Sequence, residues 1–360
     1  MFKESYHVVG VMSGTSLDGI DLAHVNLYKK DGKWSFQIFE CITISYSNQW
    51  LNKLKGAIHF SENELVLLNE EYTNYLGNII KCFLKEYKIK FIDAVCSHGH
   101  TVLHQPQNGL TLQIGNLPKI AKIVGQNVVC DFRVQDIALG GQGAPLVPIG
   151  DRLLFSEYDY CLNLGGFSNV SFEENGERIA FDISPVNTVL NFFANQLGFD
   201  FDNKGEIARS GKCNEVLLTE LNNLDFYQKK YPKSLGVEFV NATILPLIEK
   251  YPISIEDKLN SFIEHIAIQI SQAIPKKEGK LLITGGGAYH LFLLERMEYH
   301  LPKIHAVIPT AKTLEFKEAL IFALLGVLKL RREVNVLQSV TGAQNDHCSG
   351  VVHELLSREL

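Results

Sequence analysis

The feature that most constrains the fold is the stretch of residues 8–25, in which a short polar turn separates two apolar runs. Apolar runs on both sides of a turn that contains Gly and Asp predict a β-hairpin. The turn carries three hydroxyl side chains and two glycines, and such an uncrowded backbone can direct several N–H groups toward an anion. We interpret the tip as a phosphate-binding turn, with a purely conformational turn as the alternative.

The turn is not the P-loop of nucleotide-binding proteins. Gly14 and Gly19 have P-loop spacing, but Ile20 and Asp21 stand where Lys and Ser or Thr are required, and a strand is expected where a helix should begin. Asp18 is placed to lie near a metal ion, although the sequence leaves the metal ligands unknown. The candidate cofactor-binding residues of this turn are Ser13, Gly14, Thr15, Ser16, Asp18 and Gly19.

Length and composition predict two domains and a small-molecule ligand. A chain of 360 residues exceeds what one core normally supports, and 46% hydrophobic residues are enough for sizeable cores. The net charge of −6, without a basic cluster interleaved with aromatics, argues against nucleic acid or an anionic membrane as partner. With no signal-peptide pattern, no spanning apolar run and seven scattered cysteines, we expect a cytoplasmic protein with reduced thiols.

Periodicity predicts alternating strands and helices, an α/β chain. The first strands form an antiparallel meander as far as residue 46, and helical spacing predicts helices over 64–87, 253–274 and 314–331. Ser61 and Glu64 have the spacing of a capping box, which places a helix start near them. Residues 198–240 are expected to form loops and short helices.

Two apolar strands of the first half end in polar residues that could contact a ligand. His98 follows one strand and Arg133 follows another, and ligands favour the carboxyl ends of strands in α/β sheets. His98, His100 and His104 have no carboxylate or thiol partner at metal-ligand spacing, so hydrogen bonding is favoured over zinc. Arg133 is either a salt-bridge partner or an anion clamp.

The second half repeats the pattern of strand, glycine turn and strand. Gly165 and Gly166 form its tip, which suggests two related half-molecules. The triple glycine 285–287 turns a buried strand toward a helix, either for close ligand approach or for tight packing. Two carboxylates are candidates with ordinary alternatives: Asp182 as a helix cap, and Glu318 as a favourable charge in a first helical turn.

Taken together, the chain resembles the anhydro-N-acetylmuramic acid kinase family, of the sugar kinase, heat-shock ATPase and actin superfamily. The resemblance spans nearly the whole length. It is carried by eight motifs in order: 12–19 (MSGTSLDG), 97–99 (SHG), 112–115 (LQIG), 131–133 (DFR), 140–146 (GGQGAPL), 163–166 (NLGG), 285–287 (GGG) and 339–343 (SVTGA).

The resemblance implies a two-domain actin/hexokinase-like (ribonuclease H-like) fold with an ATP cleft between the domains, and a homodimer. Residues 1–137 with about 312–360 would form the lobe that carries the first phosphate hairpin. Residues 138–311 would form the lobe with the second hairpin and the adenosine turn. The expected cofactors are ATP and Mg²⁺, with phosphate contacts from both hairpins and adenosine contacts from Gly285, Gly286 and Gly287.

The implied activity opens the 1,6-anhydro bridge of 1,6-anhydro-N-acetylmuramic acid and phosphorylates O6, in cell-wall recycling. The resemblance assigns Asp182 as catalytic base, Glu318 as a second carboxylate near the attacking water, and Arg133, His98 and Asn187 as substrate-binding residues. Where the family usually has Gly and Gln, this chain has Ser184 and His100. Two alternatives stay open: a kinase for another amino sugar, and a catalytically weakened ATP-binding regulator.

Overall fold

The computed structural model describes residues 2–355, which divide into two compact units. Unit 1 comprises the described residues up to Leu154 together with those from Phe316 onward, and unit 2 comprises Phe155–Glu315. Each unit has its own sheet and its own apolar core, so the α/β class expected from the sequence is confirmed.

Unit 1 is built on a mixed sheet with the strand order β12-β6-β4-β1-β2-β3, and β5 pairs with β4. β1, β2 and β3 form the predicted antiparallel meander, whereas β4 runs parallel to β1 and to β6. The strands are β1 (Ser5–Ser13), β2 (Ile20–Lys30), β3 (Lys33–Ile44), β4 (Ala94–Gln105), β5 (Leu110–Ile114), β6 (Val128–Cys130) and β12 (Val351–His353).

Helices cover both faces of this sheet. The helices are α1 (Asn48–Gly56), α2 (Glu62–Glu86), α3 (Lys119–Val124), α4 (Val134–Ala138), α5 (Pro148–Leu154), α14 (Ala311–Leu330) and α15 (Gln338–Thr341), with 3₁₀ turns at Ala57–His59 and Pro106–Asn108. The buried stripe of α2 packs with Val9 and Val11 of β1. A Cβ on the intervening Gly10 would overlap the carbonyl oxygen of Ala319 in α14, so alternate residues of β1 face opposite helices.

The start of α2 follows the sequence prediction. Ser61 accepts a hydrogen bond from the backbone N–H of Glu64, and the Glu64 side chain accepts one from the backbone N–H of Ser61. This reciprocal capping box satisfies two backbone donors that a helix would otherwise leave unpaired.

Unit 2 has the sheet order β11-β10-β7-β8-β9, with β7, β8 and β9 antiparallel and β10 parallel to both β7 and β11. Its strands are β7 (Tyr160–Leu164), β8 (Phe167–Glu174), β9 (Glu177–Pro185), β10 (Glu278–Thr284) and β11 (Lys303–Val307). Its helices are α6 (Asn187–Gln196), α7 (Glu206–Ser210), α8 (Glu215–Asn222), α9 (Asp225–Gln228), α10 (Val237–Phe239), α11 (Leu245–Glu249), α12 (Ile255–Ala273) and α13 (Leu291–His300). Two 3₁₀ turns, Asn203–Gly205 and Gly286–Tyr289, and a π-helical turn, Val240–Ile244, complete it.

The two sheets share one plan. In each, the first three strands of the unit form an antiparallel meander, and two later strands add in parallel beside the first strand. The shared order is β3-β2-β1-β4-β6 in unit 1 and β9-β8-β7-β10-β11 in unit 2. The expectation of two related half-molecules is therefore confirmed at the level of strand order.

The units divide after Leu154 and after Glu315, not at 137/138 and 311/312 as expected from the sequence. The first boundary lies later because α5 belongs to unit 1: Lys317 and Asp151 form a buried ion pair of 2.7 Å, which ties α5 to α14. The second boundary coincides with a departure from helical geometry inside α14 at Phe316, where φ is −109° and ψ is 18°.

Candidate functional site

The first glycine turn joins β1 to β2 and presents its polar side chains to solvent. Thr15, Ser16 and Asp18 are exposed, and the Ser16 hydroxyl donates to Asp18 Oδ1 at 2.8 Å. The turn is closed by a hydrogen bond of 3.3 Å from the Leu17 N–H to the Gly14 carbonyl. Gly19 is required by close packing, since a Cβ there would come within 2.8 Å of the Ile44 carbonyl oxygen.

Ser13 differs from the rest of the turn because its hydroxyl faces the interior. The Ser13 side chain is buried and lies 2.6 Å from the Tyr46 hydroxyl, 3.0 Å from the Tyr72 hydroxyl and 2.9 Å from His100 Nδ1. Burial lowers the pKa of His100 to about 4, so the imidazole is neutral at physiological pH. This network anchors the end of β1 beneath the turn.

His98 lies within β4, two residues beyond its last pairing with the parallel strand β6, and Arg133 lies three residues after the end of β6, so the two side chains meet. Arg133 Nε–H donates to His98 Nε2 at 2.9 Å, and His98 Nδ1 lies 2.9 Å from the Gly99 carbonyl oxygen. Both contacts fit the neutral imidazole with its proton on Nδ1, and burial next to Arg133 holds the His98 pKa well below its usual range. Burial lowers the pKa of Arg133 to about 10, so the guanidinium keeps its charge at neutral pH.

Arg133 is also held by the glycine-rich loop that follows α4. Its Nη1 donates to the Gly143 carbonyl oxygen at 2.6 Å. These two bonds use two of the five N–H donors of a guanidinium and leave donors on Nη1 and Nη2 for an anionic ligand. The anion-clamp interpretation of Arg133 therefore keeps its chemical basis.

Glu318 lies in the same charged neighbourhood of unit 1. Burial raises the pKa of its carboxyl, the attraction of Arg133 opposes that shift, and Asp21 and Asp18 add to it. Glu318 is still accessible to solvent, as a carboxylate that contacts a ligand must be. Its position is fixed by the close approach of the neighbouring Ala319 to Gly10 of β1.

In unit 2 the second glycine turn and the triple glycine lie side by side at the end of β7. The Gly166 carbonyl accepts hydrogen bonds from the backbone N–H groups of Val186 and Thr188, which ties the turn to the start of α6. A Cβ on Gly285 would come within 2.7 Å of the Leu164 carbonyl oxygen, so no larger residue fits this approach. Asn187 Nδ2 lies 3.5 Å from the same carbonyl oxygen.

Asp182 is half-buried on β9, and one carboxylate oxygen is fixed by the main chain. Asp182 Oδ2 accepts a hydrogen bond of 2.8 Å from the Leu235 N–H. Burial raises the pKa of this carboxyl, and the Leu235 hydrogen bond opposes the shift. Fixing one oxygen orients the other, which is the arrangement that a general base needs.

The candidate residues thus fall into two sets, one in each unit. Unit 1 brings together Arg133, His98 and Glu318 with the first turn, and unit 2 brings the glycines of its two turns together with Asn187. Asp182 lies within β9, three residues before the strand ends at Pro185. The expected ATP cleft between the lobes stays a prediction.

Sequence reasoning missed Asp136, Tyr46 and Tyr72. Asp136 accepts hydrogen bonds from Gly143 and Thr341, and so connects the glycine-rich loop to the 339–343 motif. For Asp136, the sequence did offer one signal: it is a lone carboxylate in a short apolar segment just before the glycine-rich loop that begins at Gly140. The two tyrosines lie in ordinary apolar patterns, which gave no such signal.

Two residues that depart from the family pattern, Ser184 and His100, are both interior. Ser184 is fully buried and its hydroxyl donates to the Pro185 carbonyl oxygen at 3.0 Å, whereas His100 contacts Ser13. Within residues 2–355, no group of three or more His, Cys, Asp or Glu side chains is arranged to hold a metal ion. His104 contacts Thr111, so the three histidines do not converge.

A sequence model of the family described as "Anhydro-N-acetylmuramic acid kinase" matches residues 6–354. The chain belongs to the anhydro-N-acetylmuramic acid kinase family. A relative of that name from Mannheimia succiniciproducens is 33% identical, and the alignment covers 98% of this chain and 99% of the relative. Relatives of the same name from Pseudomonas fluorescens and Hydrogenovibrio crunogenus are 32% and 31% identical, over 96% of this chain and 98% and 97% of theirs.

Membership in this family confirms the resemblance drawn from the eight motifs and the enzyme class, a phosphotransferase. The match extends over both units, so each set of candidate residues lies inside the family's own sequence. Across the described residues, no helix has the length and apolar character needed to cross a membrane.

Proposed function

We propose that this chain is an ATP-dependent kinase that cleaves the 1,6-anhydro bridge of 1,6-anhydro-N-acetylmuramic acid and phosphorylates O6. The products are N-acetylmuramate 6-phosphate and ADP. The observation that carries the proposal is the family match over residues 6–354, together with relatives of that name that align over nearly their whole length.

Asp182 is the proposed general base. Its carboxylate takes a proton from water as the water oxygen bonds to the anomeric carbon. The bond between that carbon and O6 breaks, and O6 bonds to the γ-phosphorus as ADP leaves. The Leu235 N–H that holds Oδ2 supports this role because it fixes the direction of the carboxylate.

Glu318 and Arg133 are the proposed partners of the sugar from unit 1. A second carboxylate near the attacked carbon stabilises the positive charge that develops there, as in glycoside cleavage. The guanidinium of Arg133 suits the carboxylate that muramic acid carries, and the neutral His98 lets Arg133 keep its charge. His98 itself and Asn187 are proposed as further contacts to the sugar.

The glycine turns are the proposed nucleotide contacts. The turn at Gly14 and Gly19 and the turn at Gly165 and Gly166 would contact phosphates, and residues 285–287 would contact adenosine. Phosphoryl transfer depends mainly on positioning and charge neutralisation, which Mg²⁺ supplies when bound. The exposed Asp18 carboxylate fits Mg²⁺, which is typically held by one or two carboxylates with phosphates and water.

We place the enzyme in the cytoplasm, in cell-wall recycling, and as a homodimer. The seven cysteines are all free thiols, which fits a reducing compartment. The homodimer follows from the family resemblance, and neither the compartment nor the dimer is needed for the chemistry above.

Product analysis tests the proposal directly. Purified protein is mixed with Mg-ATP and the anhydro sugar, and ADP and sugar phosphate are followed together. Equal amounts of the two products are expected. Parallel reactions with N-acetylglucosamine and with N-acetylmuramate test for another amino sugar. Faster turnover of either would replace the proposed substrate, and ADP without sugar phosphate would contradict the coupled reaction.

A further inference from the structure

The buried carboxylate of Asp136 connects the glycine-rich loop at 140–146 to residues 339–343. Asp136 is 0% exposed, and its Oδ2 accepts a hydrogen bond of 2.6 Å from the Gly143 N–H. Its Oδ1 accepts one of 2.7 Å from the Thr341 hydroxyl, and His347 Nε2 lies 3.5 Å from the same oxygen. A buried carboxylate is costly unless it is hydrogen-bonded, so the Gly143 N–H and the Thr341 hydroxyl both matter to it.

Gly143 connects this carboxylate to Arg133. It donates its N–H to Asp136 and accepts, on its own carbonyl oxygen, the hydrogen bond from Arg133 Nη1. Arg133 is held on its other side by His98, which accepts from Nε. Two contacts on different nitrogens of one planar group fix both its plane and its rotation.

The main chain holds the same two segments together independently of the Thr341 side chain. The Gln142 N–H donates to the Thr341 carbonyl oxygen at 2.8 Å, and the Gln344 N–H donates to the Leu139 carbonyl oxygen at 3.0 Å. A Cβ on Gly141 would overlap the Asp136 carboxylate, so the loop lies directly against it. Removing only the Thr341 hydroxyl should therefore leave the loop docked.

We propose that Thr341 and Asp136 are positioning residues that set the orientation of Arg133 for the sugar. The Thr341 hydroxyl fixes Asp136, Asp136 fixes Gly143, and the Gly143 carbonyl orients the guanidinium. The proposal rests on the proposed function, because it takes Arg133 as a sugar contact.

The test compares Thr341→Val, which removes the hydroxyl at nearly the same shape, with Thr341→Ser, which keeps it. KM for the sugar is expected to rise about tenfold in Thr341→Val and to return to within about twofold in Thr341→Ser. KM for ATP should change less than twofold in both. If Thr341→Val does not fold, Thr341→Ala removes the same hydroxyl without adding a group.

A merely structural role for Thr341 gives a different result. The melting temperature would then fall while both KM values stay unchanged, or both KM values would shift together, and either outcome overturns the proposal. A double-mutant cycle adds a second criterion. Thr341→Val should have little further effect on sugar KM in an Arg133→Lys background, whereas fully multiplicative effects would show that the two residues act independently.

A readout that needs no turnover separates this proposal from the proposed function. The ¹⁵Nε–¹Hε resonance of Arg133, assigned by its loss in Arg133→Lys, should shift in Thr341→Val and recover in Thr341→Ser. If wild-type protein does not turn over the anhydro sugar, the proposed function fails while this comparison still decides the positioning. An Arg133 resonance identical in wild type and Thr341→Val would contradict it.

Discussion

At the scale of single residues, Arg133 shows how far the sequence could lead. Its place after an apolar strand marked it as a ligand candidate, and His98 was marked separately in the same way. Their contact could not be predicted, because it depends on β4 and β6 being parallel neighbours. The neutral state of His98 also depends on burial, which no local pattern of residues displays.

His100 leads to a prediction about stability and pH. Its pKa is lowered by burial from 6.5 to about 4, so the folded state binds fewer protons than the unfolded state between these values. Wild-type stability is therefore lost as the pH falls from about 6.5 toward 4. The unfolding free energy of His100→Gln minus that of wild type should therefore increase by on the order of 2 kcal/mol when the pH is lowered from 7.5 to 5.

Denaturant unfolding at the two pH values measures this difference. The exposed His59 offers a control, since His59→Gln should change little relative to wild type at either pH. A His100→Gln difference that is the same at pH 7.5 and pH 5 would show that burial does not shift this histidine.

The acid side of the pH–rate profile tests the two proposed catalytic carboxylates, Asp182 and Glu318. Burial raises the pKa of Asp182 above 3.8 and that of Glu318 above 4.5. A general base must be ionised, so kcat/KM should fall as the pH is lowered through the raised value. Glu318→Gln should lower kcat by at least about tenfold and keep the acid limb expected from Asp182 as the proposed base. A profile that stays flat down to pH 4 in folded enzyme would contradict the assignment.

At the scale of elements, helices that are encoded by neighbouring residues were predicted well, whereas close contacts between distant parts of the chain were not. The capping box of α2 and the apolar stripe of α12 are encoded within a few residues of one another, and both helices lie where expected. The contact of Gly10 with Ala319 joins residues that are far apart in the chain. The sequence contains no local sign that Gly10 is where the helix carrying Glu318 approaches the sheet.

Gly10→Ala tests this approach. The added methyl group would meet the backbone of α14, so we expect a loss of about 1–3 kcal/mol, seen as a melting temperature lower by several degrees. The rate should fall as well, because Glu318 precedes Ala319. Gly56→Ala is the matched control: its Cβ would make an ordinary contact of 3.7 Å with Phe60, and stability should change by less than about 1 kcal/mol. Unchanged stability in Gly10→Ala would mean that α14 lies farther from β1.

At the scale of the whole molecule, the repeated strand order of the two units agrees with the two half-molecules expected from paired glycine turns. The unit boundaries were less predictable. The glycine-rich loop at 140–145 has the composition of a linker, yet Asp136 and Thr341 bind it firmly within unit 1. Composition identifies a flexible backbone but not the partners that immobilise it.

Above all, we propose that the Asp182 carboxylate activates the water whose attack is coupled to phosphoryl transfer. The most direct measurement is the rate of ADP and sugar phosphate formation by Asp182→Asn, beside calorimetric ATP binding. We predict that both rates fall together by about 10² to 10⁴, while the Kd for ATP stays within about twofold. Formation of either product at the wild-type rate in Asp182→Asn would contradict the account.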